Sequence, residues 1–349
     1  MPLEVISIYD KEKWDILVYS FRQYDIYYLS GYVSAFQIHG DGEPILIYFT
    51  DGFSRAIQIV MKRDVSKVPA FVDKIYPSTY FDLATPYGYG GFIWEGSPNW
   101  IGLNTAFMEY CLDESIVSEF VRFHPILENA KGADAMYELT QRGVTVAIDI
   151  SSPEAIWGGF TTENRNMIRK AQNNNIQIRH SSSDSILMHF QEIYTETMLR
   201  DNADEYYFFK DCFYEKLLND FLNNFTVFYA SKGEDIVATS IIMFVNTQMH
   251  YHLSGLLKEY RKYAPTNLLL YEAALWGCKQ NYMTFHLGGG MGGKKDSLYK
   301  FKKEFNRYQN HVFYTGQKVY NYDVYNKLVV LKRGNSIKEE SVYFPEYRA

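Results

Sequence analysis

The chain has 349 residues, 47% of them hydrophobic, 17% aromatic and 22% charged, with a formal charge of −6. That apolar content builds one large core or two smaller ones and excludes a disordered chain, because burial offsets the entropy of ordering. The acidic balance excludes attraction of phosphate backbones through the overall field, and the apolar runs, Ile236–Val245 and Leu268–Trp276, stop near about ten residues, half of what crosses a bilayer.

The chain opens on Met1-Pro2-Leu3-Glu4 and soon reaches Asp10, Glu12 and Asp15, without the basic and apolar regions of a secretory signal, so a cytoplasmic location is expected. Cys111, Cys212 and Cys278 are odd in number and widely spaced; they read as core residues, not as a disulfide framework or a zinc site. Residues 44–50 and 55–62 read as a hairpin across Asp51-Gly52, followed by a strand near 80–85, a helix over 100–111, a strand over 116–122 and another over 144–150. Ser152 and Pro153 supply an N-cap and a first-turn proline for a helix to about Asn173, and apolar spacing of three to four predicts helices over 184–199 and 210–221. The period then changes to that of strands at 225–230, 236–245 and 248–254, joined by short polar turns as in an antiparallel meander. A polar loop, Lys258 to Thr266, opens a helix over 267–280. A short strand at 283–287, the cluster Gly288–Gly293, a basic helix over 296–306 and a strand over 311–315 follow. The order meander, helix, strand occurs in both halves, which predicts an internal repeat divided as 1–150 and 151–349.

The glycine cluster is the strongest local signal. Glycines let backbone N–H groups approach a ligand, and the helix that follows favours anions at its start. Gly288 to Lys295 fits the first part of a phosphate loop but has Lys295 where the magnesium-binding hydroxyl belongs, and the preceding meander is antiparallel, so a nucleotide triphosphatase is rejected. A second glycine-aromatic loop runs from Thr85 to Phe92 through Tyr87, Gly88 and Gly90; it reads equally as a ligand loop or as a bent strand packed by its tyrosines. From Lys294 to Arg307 six basic residues stand against two acidic ones; with Leu298, Phe301 and Phe305 on the apolar face, most of these lysines read as a solvated surface. Arg200, ending a helix, can fork onto a phosphate or merely complement the helix dipole. Arg165 and Arg169 read as ordinary exposed residues. No nucleophile elbow occurs, and His250 and His252 lack a third ligand, so His250, His252 and His286 read as structural or polar cleft residues.

The residues Tyr260, Arg261, Ala264, Pro265, Asn267, Leu269 and Leu270, followed by Phe285-His286-Leu287-Gly288-Gly289-Gly290 and by Ser297-Leu298-Tyr299-Lys300-Phe301-Lys302, resemble the C-terminal half of the FemABX family of non-ribosomal peptidyltransferases. Thr85 to Gly91, Tyr194 to Arg200 and Phe313-Tyr314-x-Gly316 agree with it. The resemblance implies an α+β fold of two tandem GNAT-like domains with mixed, mostly antiparallel sheets flanked by helices. It implies transfer of an aminoacyl or acyl group to an amine of a phosphorylated cell-envelope precursor in peptidoglycan synthesis, with aminoacyl-tRNA or acyl-CoA as co-substrate and no tightly bound cofactor. By the same resemblance Lys302 and Phe301 are the catalytic pair at the donor side, and Arg200 holds the acceptor's diphosphate. Tyr206, Tyr251, Tyr87, Gly88, Gly90, Gly288, Gly289, Gly290 and Lys300 line the substrate path. Where an acyl-CoA enzyme of this fold has glycines at the pyrophosphate loop, this chain has Ala264, Pro265 and Asn267, and the proline removes an N–H donor. The alternatives are an acyl-CoA-dependent N-acyltransferase acting on an amino sugar, and a non-catalytic binding protein using the same residues. Asp296, Glu272 and Asp82 are available as a general base.

Overall fold

The computed structural model describes residues 2–308, 310–334 and 343–349. In chain order its strands and helices are β1 (Leu3–Ser7), α1 (Lys11–Tyr19), α2 (Ser30–His39), β2 (Glu43–Thr50), β3 (Arg55–Asp64), β4 (Phe81–Ala84), β5 (Ile93–Glu95), α3 (Trp100–Asp113), β6 (Ile116–Arg122) and β7 (Glu138–Asp149). Then come α4 (Pro153–Gly159), α5 (Thr162–Asn173), β8 (Ile176–Ser181), α6 (Asp184–Arg200), α7 (Asp211–Phe221), β9 (Phe225–Lys232), β10 (Asp235–Val245), β11 (Gln248–Leu256), α8 (Pro265–Lys279), β12 (Thr284–Gly288), α9 (Ser297–Lys303), β13 (His311–Val319) and α10 (Tyr322–Arg333).

Two compact units divide the chain: residues 1–141 with 313–349, and residues 142–312. This departs from the division at 150. The physical reason lies in β13, whose Thr315–Val319 pairs antiparallel with Ser118–Arg122 of β6 and so carries the chain end into the first core. The tail is clasped there. Tyr347 is fully buried and donates to Asp82, which also receives Arg63 and Arg348.

Within the first unit the meander β1-β2-β3-β4 is antiparallel, and β6 adds to β4 in parallel after α3. In the second, β8-β9-β10-β11 is antiparallel and β12 adds to β11 in parallel after α8. The internal repeat therefore extends to strand direction: strand, two helices, meander, helix, parallel strand. A parallel pair needs a crossover connection, which α3 and α8 supply.

Local chemistry sets the boundaries. The helix expected from 153 to 173 is two helices, because Gly158-Gly159 weakens the first and the Thr161 hydroxyl accepts from Asn164 N to start the second. Asn99 caps α3 through Gly102 N at 2.9 Å. The helix expected over 296–306 ends at Lys303, and its buried face is Tyr299 and Lys302, with Phe305 buried just beyond its end, while Leu298 is 40% exposed. Of the cysteines, Cys111 is buried, Cys278 half-buried and Cys212 exposed, so the core assignment fails for Cys212. The second core gathers Ile148, Phe228, Ile242 and Phe285 of the sheet against Ile168 of α5 and Leu269 of α8. Among the described residues no helix is long and apolar enough to cross a membrane.

Candidate active site

The second unit carries a fork between two parallel strands. The ladder between β11 and β12 runs only across Gln248–Thr284, Met249–Phe285 and His250–His286. On its other edge, β11 changes register with β10: Ile242 faces Tyr251 while Ile241 faces Leu253, so His252 is an inserted, bulged residue. A bulge bends and twists its strand, and here it lies immediately past the last parallel pair. His250 and His286 close the base of the fork, their rings edge-on at 5.7 Å. Burial and neighbouring His250 press the His252 pKa down to about 3, so this ring is neutral at physiological pH.

Beyond the fork β12 ends at Gly288, at φ +77°, and the chain folds tightly on itself. A Cβ on Gly289 would lie 2.9 Å from the Val144 carbonyl, and one on Gly290 would collide with the Lys294 carbonyl and the Asp296 carboxylate. Asp296 clips the loop by accepting from Met291 N and, as the cap of α9, from Tyr299 N, both at 2.9 Å. Those backbone bonds hold its carboxyl below the usual range.

Lys302 meets this loop. It is 8% exposed, donates from Nζ to the Gly289 carbonyl at 2.8 Å, and lies 6.0 Å from the centre of the Tyr251 ring. Burial pushes its pKa down to about 8, and Asp296 opposes that fall. Tyr251 is pushed up by burial and donates to Ser254 Oγ at 2.6 Å, so it stands as a neutral phenol. Lys302, Tyr251 and Gly289 are thus brought together, with Gly288 and Gly290 in the same loop. Phe301 packs instead against Phe305 at the margin of the core, and Lys300 is exposed.

Arg200 occupies the far end of β11. Gly255 permits this, since a Cβ there would lie 2.7 Å from the α6 backbone at Ile193 and Tyr194. The Thr197 hydroxyl accepts from Leu256 N, and Arg200 Nη1 donates to the Leu256 carbonyl at 2.7 Å. Its Nε reaches the exposed Asp201; Nη2 makes no hydrogen bond among the described residues. Tyr206 sits in a tight turn over Glu205–Tyr207, its ring edge-on to Phe209. Tyr251 and Leu256 are five residues apart on β11, roughly 16 Å along the strand.

In the first unit the corresponding fork, past β4 and β6, is laced by its own backbone. Thr85 N bonds to the Phe120 carbonyl at 3.0 Å and Gly90 N to that of Arg122 at 2.8 Å. Arg122 donates to the Pro86 carbonyl, and the Tyr32 hydroxyl to that of Tyr87, both at 2.6 Å. The Tyr87 ring stacks on Phe36, and the ring of Tyr27 fills the space a side chain at Gly88 would need, 2.7 Å from Cδ1. These partners were missed from sequence, although the aromatic run from Tyr24 to Tyr32 is visible there. Beside them lies a buried pair, Asp25 and His124. The Nδ1 atom of His124 accepts from Ile126 N and Leu127 N, and its Nε2 faces Asp25 Oδ2 at 2.8 Å.

Of the available carboxylates, Asp82 is engaged by two arginines and Tyr347, Asp296 holds the glycine loop, and Glu272 lies on the flank of α8. At the start of α8, Ala264 adopts φ +55° and Pro265 offers no N–H; Asn267 N bonds back to the Ala264 carbonyl and its side chain to Asn164.

Residues 163–303 match the family model described as an acetyltransferase (GNAT) domain, so the second unit carries an acyltransferase domain of GNAT type. The whole chain has a FemX-like fold: FemX superposes with a TM-score of 0.63 at 16% identity, over 93% of this chain and 99% of that one. A conserved protein of unknown function from Bacteroides thetaiotaomicron is similar at a TM-score of 0.59 and 12% identity, covering 91% and 99% of the two chains. The C-terminal domain of a protein provisionally assigned as a lysylphosphatidylglycerol synthetase of Agrobacterium fabrum is similar at 0.57 and 14%, covering 90% and 92%. No curated protein matches the sequence.

Proposed function

We propose that this protein is an aminoacyl transferase that moves its group from aminoacyl-tRNA to an amine of a phosphorylated cell-envelope precursor, with Lys302 as the catalytic residue. The observation that carries the reading is Lys302 itself, a buried ammonium pinned by the Gly289 carbonyl beside the face of Tyr251 at an opened strand pair. In the reaction the acceptor amine attacks the ester carbonyl carbon, a C–N bond forms, the C–O bond to the ribose breaks, and the amine's proton ends on the departing oxygen. With a pKa of about 8, Lys302 is mostly protonated at neutral pH, so it can donate a hydrogen bond to the developing oxyanion or hand its proton to the leaving oxygen, and then regain one from the acceptor amine. A dry site strengthens both effects.

Arg200 supplies the anchor for the acceptor's phosphate: its Nη1 is fixed on Leu256 and its Nη2 is open, as a planar fork requires. Tyr251 and the glycine loop border the reacting groups; Phe301 helps seat α9 by packing against Phe305, and Lys300 contributes only positive field. Tyr87, Gly88 and Gly90 shape the first unit's own loop. A cytoplasmic site of action and a role in peptidoglycan synthesis fit this chemistry.

The GNAT family match favours acyl-CoA as the donor. The start of α8 argues against it, because Pro265 and the bond from Asn267 N remove two of the backbone donors that a pyrophosphate would use. The test supplies the purified chain with a phosphorylated amine acceptor and either labelled aminoacyl-tRNA or labelled acetyl-CoA. Transfer from the tRNA, abolished by Lys302→Met, is expected; transfer from acetyl-CoA alone selects an N-acyltransferase, and binding of acceptor without transfer from either selects a non-catalytic protein.

A further inference from the structure

A separate cavity of about 180 Å³ in the second unit, lined by Ile178 and His180 of β8, Phe228 of β9, and Glu272, Trp276 and Lys279 of α8, shares no residue with the fork. Three of these rings form a closed set. His180 stacks on Phe228 at 5.0 Å between centroids, and Trp276 meets His180 at 5.6 Å and Phe228 at 5.8 Å. Glu272 stands one helical turn before Trp276 and Lys279 nearly one turn after it, so acid, indole and ammonium form a single stripe about 10 Å long. Neither Glu272 nor Lys279 has a hydrogen bond or an ion pair among the described residues, and Glu272 is half-buried, with burial pushing its carboxyl up against the opposing charge of Lys279. Arg179, at the rim, is bonded to Gln177.

We propose that this cavity binds a small zwitterion, a primary ammonium joined by a short aliphatic chain to a carboxylate, with the ammonium between Glu272 and the rings of Trp276 and His180 and the carboxylate toward Lys279. An aromatic face beside a partly dehydrated carboxylate is the chemistry that selects an organic ammonium over water. A bare amine would meet the repulsion of Lys279, and a bare carboxylate that of Glu272; only a ligand with both charges satisfies both ends. The space equals that of about six waters at liquid density, enough for a short chain and its two end groups.

The experiment follows the indole N–H resonance of Trp276, assigned with Trp276→Phe, in the ¹⁵N-labelled full chain during titration with 6-aminohexanoate. Hexylamine and hexanoate serve as singly charged controls. A saturable shift is expected with 6-aminohexanoate, and binding at least tenfold weaker for either control, for Glu272→Gln and for Lys279→Met, with the spectra of both variants otherwise unchanged. No saturable shift, equal binding of a control, or indifference to both substitutions overturns the assignment. Because Lys279 is exposed, its variant folds even if Glu272→Gln does not.

Discussion

Replacing Lys302 by Met separates a lysine kept for chemistry from one kept for stability. The gap between a pKa of about 8 in the fold and the ordinary 10.5 corresponds to about 3 kcal/mol of charge-burial cost below pH 8. The sign follows from proton binding: between pH 8 and 10.5 the unfolded chain binds more protons at this site than the folded one, so stability rises with pH across that window and the cost is gone above it. Met keeps the apolar stem and removes the charge, but leaves the Gly289 carbonyl without its donor, a loss of about 1–3 kcal/mol. The variant should therefore be as stable as the parent at pH 7 or more stable by up to about 2 kcal/mol. The two should converge, or reverse, by pH 10.5. Urea unfolding of both chains at pH 7 and pH 10.5, with slopes compared, measures this. A loss of more than about 1 kcal/mol at pH 7, or a parent that loses its advantage as pH rises, would refute the reasoning and make Lys302 a structural residue.

Two further outcomes concern the first unit. Tyr347→Ala should cost about 3–5 kcal/mol, because it opens a cavity beside Phe71 and Tyr325 and leaves Asp82 short of a donor; a change below about 1 kcal/mol in urea unfolding would show that the tail is not part of that core. Glu119 is fully buried, and desolvation raises its pKa against the hydrogen bonds of Tyr320, Tyr137 and Gln58. Its contribution to stability is therefore complete below the ordinary carboxylate value and is lost as pH rises through the raised one, so Glu119→Gln should gain on the parent as pH rises above 4.5, whereas parallel curves would contradict a buried, titrating acid.

The larger elements were legible because their signals are local. The strand period over 225–256, the Ser152-Pro153 start and the glycine cluster each state their structure within a few residues. The edge strands β1 and β8 and the helices α1 and α2 were not assigned, since five or six residues at a sheet edge show little alternation and α2 is buried nearly all round. Lys302 was singled out by resemblance alone; its burial could not be read, because it depends on a glycine loop lying across α9, and the pattern through Leu298 pointed to the wrong face. Arg200 was legible as a helix-ending cation, but its bond to Leu256 depends on Gly255 admitting α6. The packing of Tyr27 onto Gly88, the Asp25–His124 pair and the return of the chain end to the first core join residues far apart in sequence, which no local pattern encodes.

The most direct measurement is the pH dependence of kcat/KM for aminoacyl transfer by the unmodified chain, set beside the residual rate of Lys302→Met. The expected profile falls above a pKa of about 8, with roughly tenfold loss from pH 7 to pH 9, and the variant lacks both the limb and most of the rate. A profile flat to pH 10, or a variant that retains the parent rate, contradicts the assignment of Lys302 to the reaction.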